Sequence, residues 1–210
     1  MKQFANVSFD AALCKKELDA FDKLLRTRKS LAESKHVRPF FSKSRQLSAF
    51  LGTYALGMAR PNRLAYEFEL AGDFCAGMVV GNWERKTFCM IEFEAGSVSS
   101  IFAPKRQRST REWSSRFDHG FSQLVDWFYK VDDIRKTDGF ARVFGDSSAT
   151  FCGLLVIGRS SGLSEDDRRR LRWRSQHVLK DNHAIQCITY DQMYADLRLL
   201  LSQIQPDLTV

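Results

Sequence analysis

The stretch TFCGLLVIG at residues 150–158 is apolar from end to end. Side chains of a strand alternate between the two faces of a sheet, so a run without polar alternation fits a strand covered on both sides. An open sheet with one wet face is excluded, and helices are needed above and below. The sequence has the repeats to supply them. Cys14, Leu18, Phe21 and Leu25 recur at helical spacing within residues 9–28. A break near Pro39 precedes a second helical pattern of Leu47, Phe50, Leu51 and Tyr54. A long helix is expected over 112–135, with Trp113, Phe117, Phe121, Leu124, Phe128 and Val131 on one stripe.

Between the second and third of these helices the hydrophobic period drops to two. RLAYEFEL, DFCAGMVVG and KTFCMIEFE read as consecutive strands joined by AG and by GNWER. Ser164 is placed to cap a helix with an acidic first turn and five arginines between Arg168 and Arg174; its expected outer face is solvated and salt-bridged. AIQCIT is a last strand, and Asp191 can cap a final helix carrying Met193, Leu197, Leu200, Leu201 and Ile204. The order predicts an α/β fold, a mixed central β-sheet flanked by helices.

At 210 residues one core suffices. No stretch approaches the roughly 18 apolar residues of a membrane span, and the N-terminus lacks the apolar run of a signal peptide, so a cytoplasmic protein is expected. The five cysteines form no CxxC pair and read as small buried hydrophobes. A net charge of +7 favours a polyanionic partner.

EFE occurs twice, at residues 67–69 and 92–94. Glu67 and Glu69 alternate with Tyr66, Phe68 and Leu70, the pattern of a half-exposed strand. Glu92 and Glu94 share one face of a strand that is otherwise apolar, and Asp73 opens the preceding strand. In an antiparallel hairpin, one register parity puts Asp73 opposite Glu92 or Glu94; the other turns it away. Three crowded carboxylates call for a cation, and hard oxygen ligands suit Mg²⁺ or Mn²⁺.

The ordered set GDFCAGMVV, CMIEFEAGSVSSIF, FSQLVDWF, LLVIGRS and ITYDQMYADL resembles the Shedu-type family of PD-(D/E)XK nucleases, bacterial proteins of anti-phage defence. The resemblance covers residues 40–202 and implies a restriction-endonuclease-like core over 40–205, preceded by an N-terminal helical extension over 1–39. By that resemblance Asp73 and Glu92 are the metal ligands and catalytic acids, with the Phe93 carbonyl as a further ligand. Gln123, followed by Trp127, lines the active site in a stripe with Arg116 and His119. Glu94 stands where the family has lysine, and serves as base or second-metal ligand.

The implied activity is a Mg²⁺- or Mn²⁺-dependent DNA endonuclease, a hydrolase without small-molecule cofactor or membrane attachment, assembling as a homo-oligomer. Flanking phosphates would meet the loop cations Lys105, Arg106, Arg108 and Arg111. The glutamate in place of lysine keeps an alternative open, a nuclease-fold protein without cleavage activity that binds DNA or a partner protein. Nothing in the motifs separates DNA from RNA.

Overall fold

The apolar run folds as β5 (Thr150–Val156), flanked in parallel by β4 (Thr87–Phe93) and β7 (His183–Ile188). The computed structural model describes residues 4–204 apart from 56, 59, 105–109, 178, 181 and 182. The sheet runs β1-β2-β3-β4-β5-β7-β6. Here β1 (Ala5–Asn6), β2 (Arg63–Leu70) and β3 (Phe74–Asn82) extend antiparallel from β4, and the short β6 (Leu179–Lys180) pairs antiparallel with β7. Leu154 and Val156 enter one core and Leu155 the other, so both faces of β5 are covered as its composition requires.

On the first face lie α1 (Ala11–Thr27) and α7 (Tyr190–Ile204). Asp10 caps α1 by accepting from the Leu13 amide, and the helix buries Cys14, Leu18, Phe21 and Leu25, the expected stripe. These residues share one core with Met78, Val80 and Ile91, so the segment before residue 40 packs as one body with the strands. A π-helix (Glu33–Val37), α2 (Arg38–Lys43), α3 (Arg45–Phe50) and a 3₁₀ turn (Leu51–Tyr54) lead into the sheet. Pro39 does not break the chain; it sits in the first turn of α2, where a missing N–H costs nothing.

The second face is covered by α4 (Ser115–Ile134), capped by the Ser114 hydroxyl, which accepts from the Phe117 amide. Trp127 is buried with the predicted stripe. A seven-residue helix α5 (Asp138–Phe144) follows, too short for its periodicity to mark it. In α6 (Glu165–His177) the arginine run divides. Arg168 and Arg169 pair with Glu165 and Asp166, whereas Arg170 and Arg174 lie over the ladder Phe102, Trp113, Phe117 and Phe121.

One local irregularity decides where the hairpin of β2 and β3 goes. Glu67 has φ of +48°, a left-handed value uncommon outside glycine. Tyr66 and Met78 before this point belong to the α1 side, while Phe68 and Ala76 beyond it belong to the α4 side. Both strands thus exchange faces at Glu67 and Gly77, and the hairpin end curls over α4. All five cysteines are free; Cys75, past the exchange, is exposed rather than buried. No helix among the described residues is long and apolar enough to cross a membrane.

Candidate functional site

Glu92 and Glu94 stand at the end of β4, 3% and 2% exposed. β4 continues through Glu94, whose amide donates to the Val156 carbonyl at 2.9 Å, and through Gly96, which exchanges hydrogen bonds with Leu31 at 2.8 and 3.0 Å. That bridge brings the π-helix alongside, and with it Glu33, whose charge is the largest influence after burial on Glu92. Tyr190, fully buried at the start of α7, donates its hydroxyl to the Glu94 carbonyl at 2.6 Å. A Cβ at Gly96 would lie 2.8 Å from the Tyr190 ring, so this close approach requires glycine.

The expected third carboxylate is elsewhere, which corrects the predicted pairing. Met78 lies opposite Ile91 and Val79 opposite Met90, a register that puts Gly77, not Asp73, across from Glu92. A Cβ at Gly77 would come 3.0 Å from Glu92 Oε2. Asp73 lies in the turn that starts the hairpin's return, and its carboxylate, 60% exposed, accepts from Lys130 Nζ at 2.6 Å. Glu94 meets α4 at Gly120, and Lys130 is ten residues further along the same helix, about 15 Å of rise. The face exchange at Glu67 and Gly77 carries Asp73 away. Among the described residues no group of three His, Cys, Asp or Glu side chains is disposed to hold a metal ion.

What surrounds Glu92 is a set of paired and unpaired charges. Glu33 Oε1 accepts from Arg38 Nη2 at 2.6 Å, and Glu94 Oε2 accepts from Arg116 Nη1 at 2.8 Å. Among the described residues no hydrogen bond or ion pair engages the Glu92 carboxyl. Burial first, then the charges of Glu33 and Glu94, push its carboxyl up to about 8, with Arg38 acting the other way. Glu92 also borders a cavity of about 390 Å³ lined by Arg38, Phe41, Tyr66, Gly77 and Phe93 among others. Glu67 lines the same cavity, although both Glu67 and Glu69 are exposed, as the half-exposed pattern predicted.

Gln123 is on the α4 side with its Oε1 buried and unpartnered. Trp127 is a core residue, 1% exposed, and His119 is exposed. Arg111 is not available as a loop cation: its guanidinium donates to the carbonyls of Phe102, Ala103 and Gly162 and pairs with Asp167 at 3.0 Å. It closes the base of the basic loop, where the Ala103 amide donates to the Glu112 carbonyl. Lys105, Arg106 and Arg108 lie outside the described residues.

Sequence reasoning missed Glu33 and Arg38. The signal for them was absent, since a five-residue π-helix leaves no period and the bridge from Leu31 to Gly96 spans 65 positions. The stretches LLVIGRS and ITYDQMYADL meet in one unit. Arg159 pairs with Asp191 at 2.9 Å and donates to the carbonyls of Leu25 and Arg28 at the end of α1.

A family model described as Shedu protein SduA, C-terminal, matches residues 15–194, a span running from α1 into α7 and including every side chain of the site. No curated protein matches the chain.

Proposed function

The chain belongs to the Shedu SduA C-terminal family, which supports a role in anti-phage defence, and from that premise we propose that it is a metal-dependent endonuclease hydrolysing DNA phosphodiesters. The observation that carries the proposal is the Glu92 carboxyl, buried beside a cavity, without a partner among the described residues and pushed up to about 8. A buried acid without a cation is costly in its charged form, and perturbed carboxyls of this kind concentrate at functional sites. Further support comes from topology: three antiparallel strands, the crossover helix α4 and a parallel fourth strand carry the motif residues in the order the nuclease resemblance implies.

The fit to a divalent ion differs from the predicted one. Asp73 is engaged by Lys130, ten residues along α4 from the Gly120 contact with Glu94, and so is not placed to share an ion with Glu92. Mg²⁺ is commonly held by only one or two carboxylates together with substrate phosphates, and Glu92 with the unpaired Oε1 of Glu94 provides that donor set. Glu92 and Glu94 would hold such an ion, Mg²⁺ or Mn²⁺, which would supply polarisation of a scissile phosphate and a lowered pKa for a bound water. Glu92 must release its proton for this role, so ion binding is coupled to pH. Glu94 holds Arg116 through one oxygen and keeps the other for the site. Gln123 would supply an acceptor that no group among the described residues satisfies.

A second reading, a nuclease-fold protein that binds DNA or a partner without cutting, is favoured by the pairing of Glu94 with Arg116 and of Asp73 with Lys130. Nicking of supercoiled plasmid with Mg²⁺ or Mn²⁺ separates the two. The endonuclease reading expects nicking by the native protein and by Asp73→Asn, and none by Glu92→Gln. Equal residual nicking in all three indicates a contaminant and leaves the second reading standing.

A further inference from the structure

Arg38 and Arg116 occupy equivalent positions around the end of β4. Arg38 begins α2, whose Phe41 stacks on Phe93 at 4.5 Å on one face of the sheet; Arg116 lies in the first turns of α4 on the other. Each is half exposed, 51% and 50%, and each is tied through one nitrogen to a carboxylate beside Glu92. The two carboxylates differ in burial, Glu33 keeping 23% of its side-chain surface and Glu94 only 2%.

A guanidinium has five N–H donors in a rigid fork. Here one edge is spent on a carboxylate and no other hydrogen bond from either arginine is present among the described residues, so the remaining donors face solvent. The half-exposed pair of Arg38 with Glu33 contributes little to stability, whereas Arg116 also offsets the charge of a buried carboxylate. What such a tether does provide is orientation: the side-chain entropy of a long arginine is already lost before a ligand arrives, which lowers the cost of binding one. The ligand matched by two preoriented guanidinium forks on either side of a carboxyl cluster is an anion with repeated, planar-accessible oxygens, the backbone of a nucleic acid.

We propose that Arg38 and Arg116 form a phosphate clamp, one from each face of the sheet, that seats the DNA backbone across the end of β4 with Glu92 between them. The clamp rests on the endonuclease reading for its substrate, and it assigns to Glu94 the task of positioning Arg116. It also replaces Arg111, whose donors are consumed inside the fold, as the described source of phosphate contacts.

The test is duplex DNA binding by fluorescence anisotropy in EDTA, where no cleavage occurs, over salt from about 50 to 200 mM, with each contacted phosphate contributing about 0.9 to the slope of log affinity against log salt. Arg38→Gln and Arg116→Gln are each expected to flatten the slope by about one and to weaken binding roughly ten-fold or more, irrespective of sequence. Thermal melting checks that both variants fold. The double variant Arg116→Gln with Glu94→Gln removes both charges of the pair, and the clamp expects it to bind as poorly as Arg116→Gln alone. Native binding in that double variant overturns the clamp, because Arg116 would then act only by neutralising Glu94. Unchanged slopes in both single variants overturn it as well, as does the absence of salt-dependent binding by the native protein. Full native binding without nicking sinks the endonuclease reading and leaves the clamp intact.

Discussion

At the scale of single residues, Glu92 sets the electrostatics of the site. Its carboxyl is protonated in folded and unfolded chains alike below the ordinary glutamate range. Between that range and about 8 the folded protein keeps a proton that the unfolded chain has released, so stability falls as pH rises through this window. Glu92→Gln, which cannot ionise, is expected to lose this slope and to exceed the native protein in stability by a few kcal/mol at pH 9, with no such gap at pH 4. Urea unfolding at a series of pH values measures the difference; parallel native and variant curves contradict the assignment. The pair Glu92 and Glu94 was legible in the sequence because strand alternation alone puts them on one face. The position of Asp73 was not, since a single left-handed residue, Glu67, and the glycine opposite it redirect the hairpin.

At the scale of elements, the contact between β4 and α4 depends on Gly120. A Cβ there would lie 2.8 Å from both Glu94 Cγ and Leu155 Cδ1, so the helix lies unusually close to the strand. Gly120→Ala removes a flexible residue from a helix interior, a gain of about 1 kcal/mol by propensity, but overpacks a buried contact at about 1–3 kcal/mol. The net expectation is a loss of stability of about 1 kcal/mol. Calorimetric melting that shows stabilisation places the helix further from Glu94 than described. The long helices and central strands were readable because their apolar periods run over many residues. The π-helix, α2 and α5 were not, because five to seven residues contain too few turns to show a period.

At the scale of the whole molecule, distant segments converge on the end of β4. The π-helix arrives through the Leu31 and Gly96 bridge, α7 through Tyr190, and α1 through the clamp of Arg159 on its last carbonyls. Arg159→Ala leaves Asp191 with only the Ser160 amide as donor and two carbonyls without the Arg159 donor, a cost of about 2 kcal/mol, and is expected to speed hydrogen exchange in the last turns of α1 more than in β5. Uniform acceleration across the sheet contradicts a local clamp. The mixed sheet was legible from the apolar β5 and the run of three strands, while these convergences rest on contacts remote in sequence that carry no local pattern.

The central claim is that Glu92, and not Asp73, holds the divalent ion. Mn²⁺ titration followed by electron paramagnetic resonance at pH 8 tests it most directly, on the native protein, Asp73→Asn and Glu92→Gln. The account predicts one bound ion in the native protein and in Asp73→Asn, weakening as pH is lowered to 6, and none in Glu92→Gln. Binding lost in Asp73→Asn and retained in Glu92→Gln contradicts it.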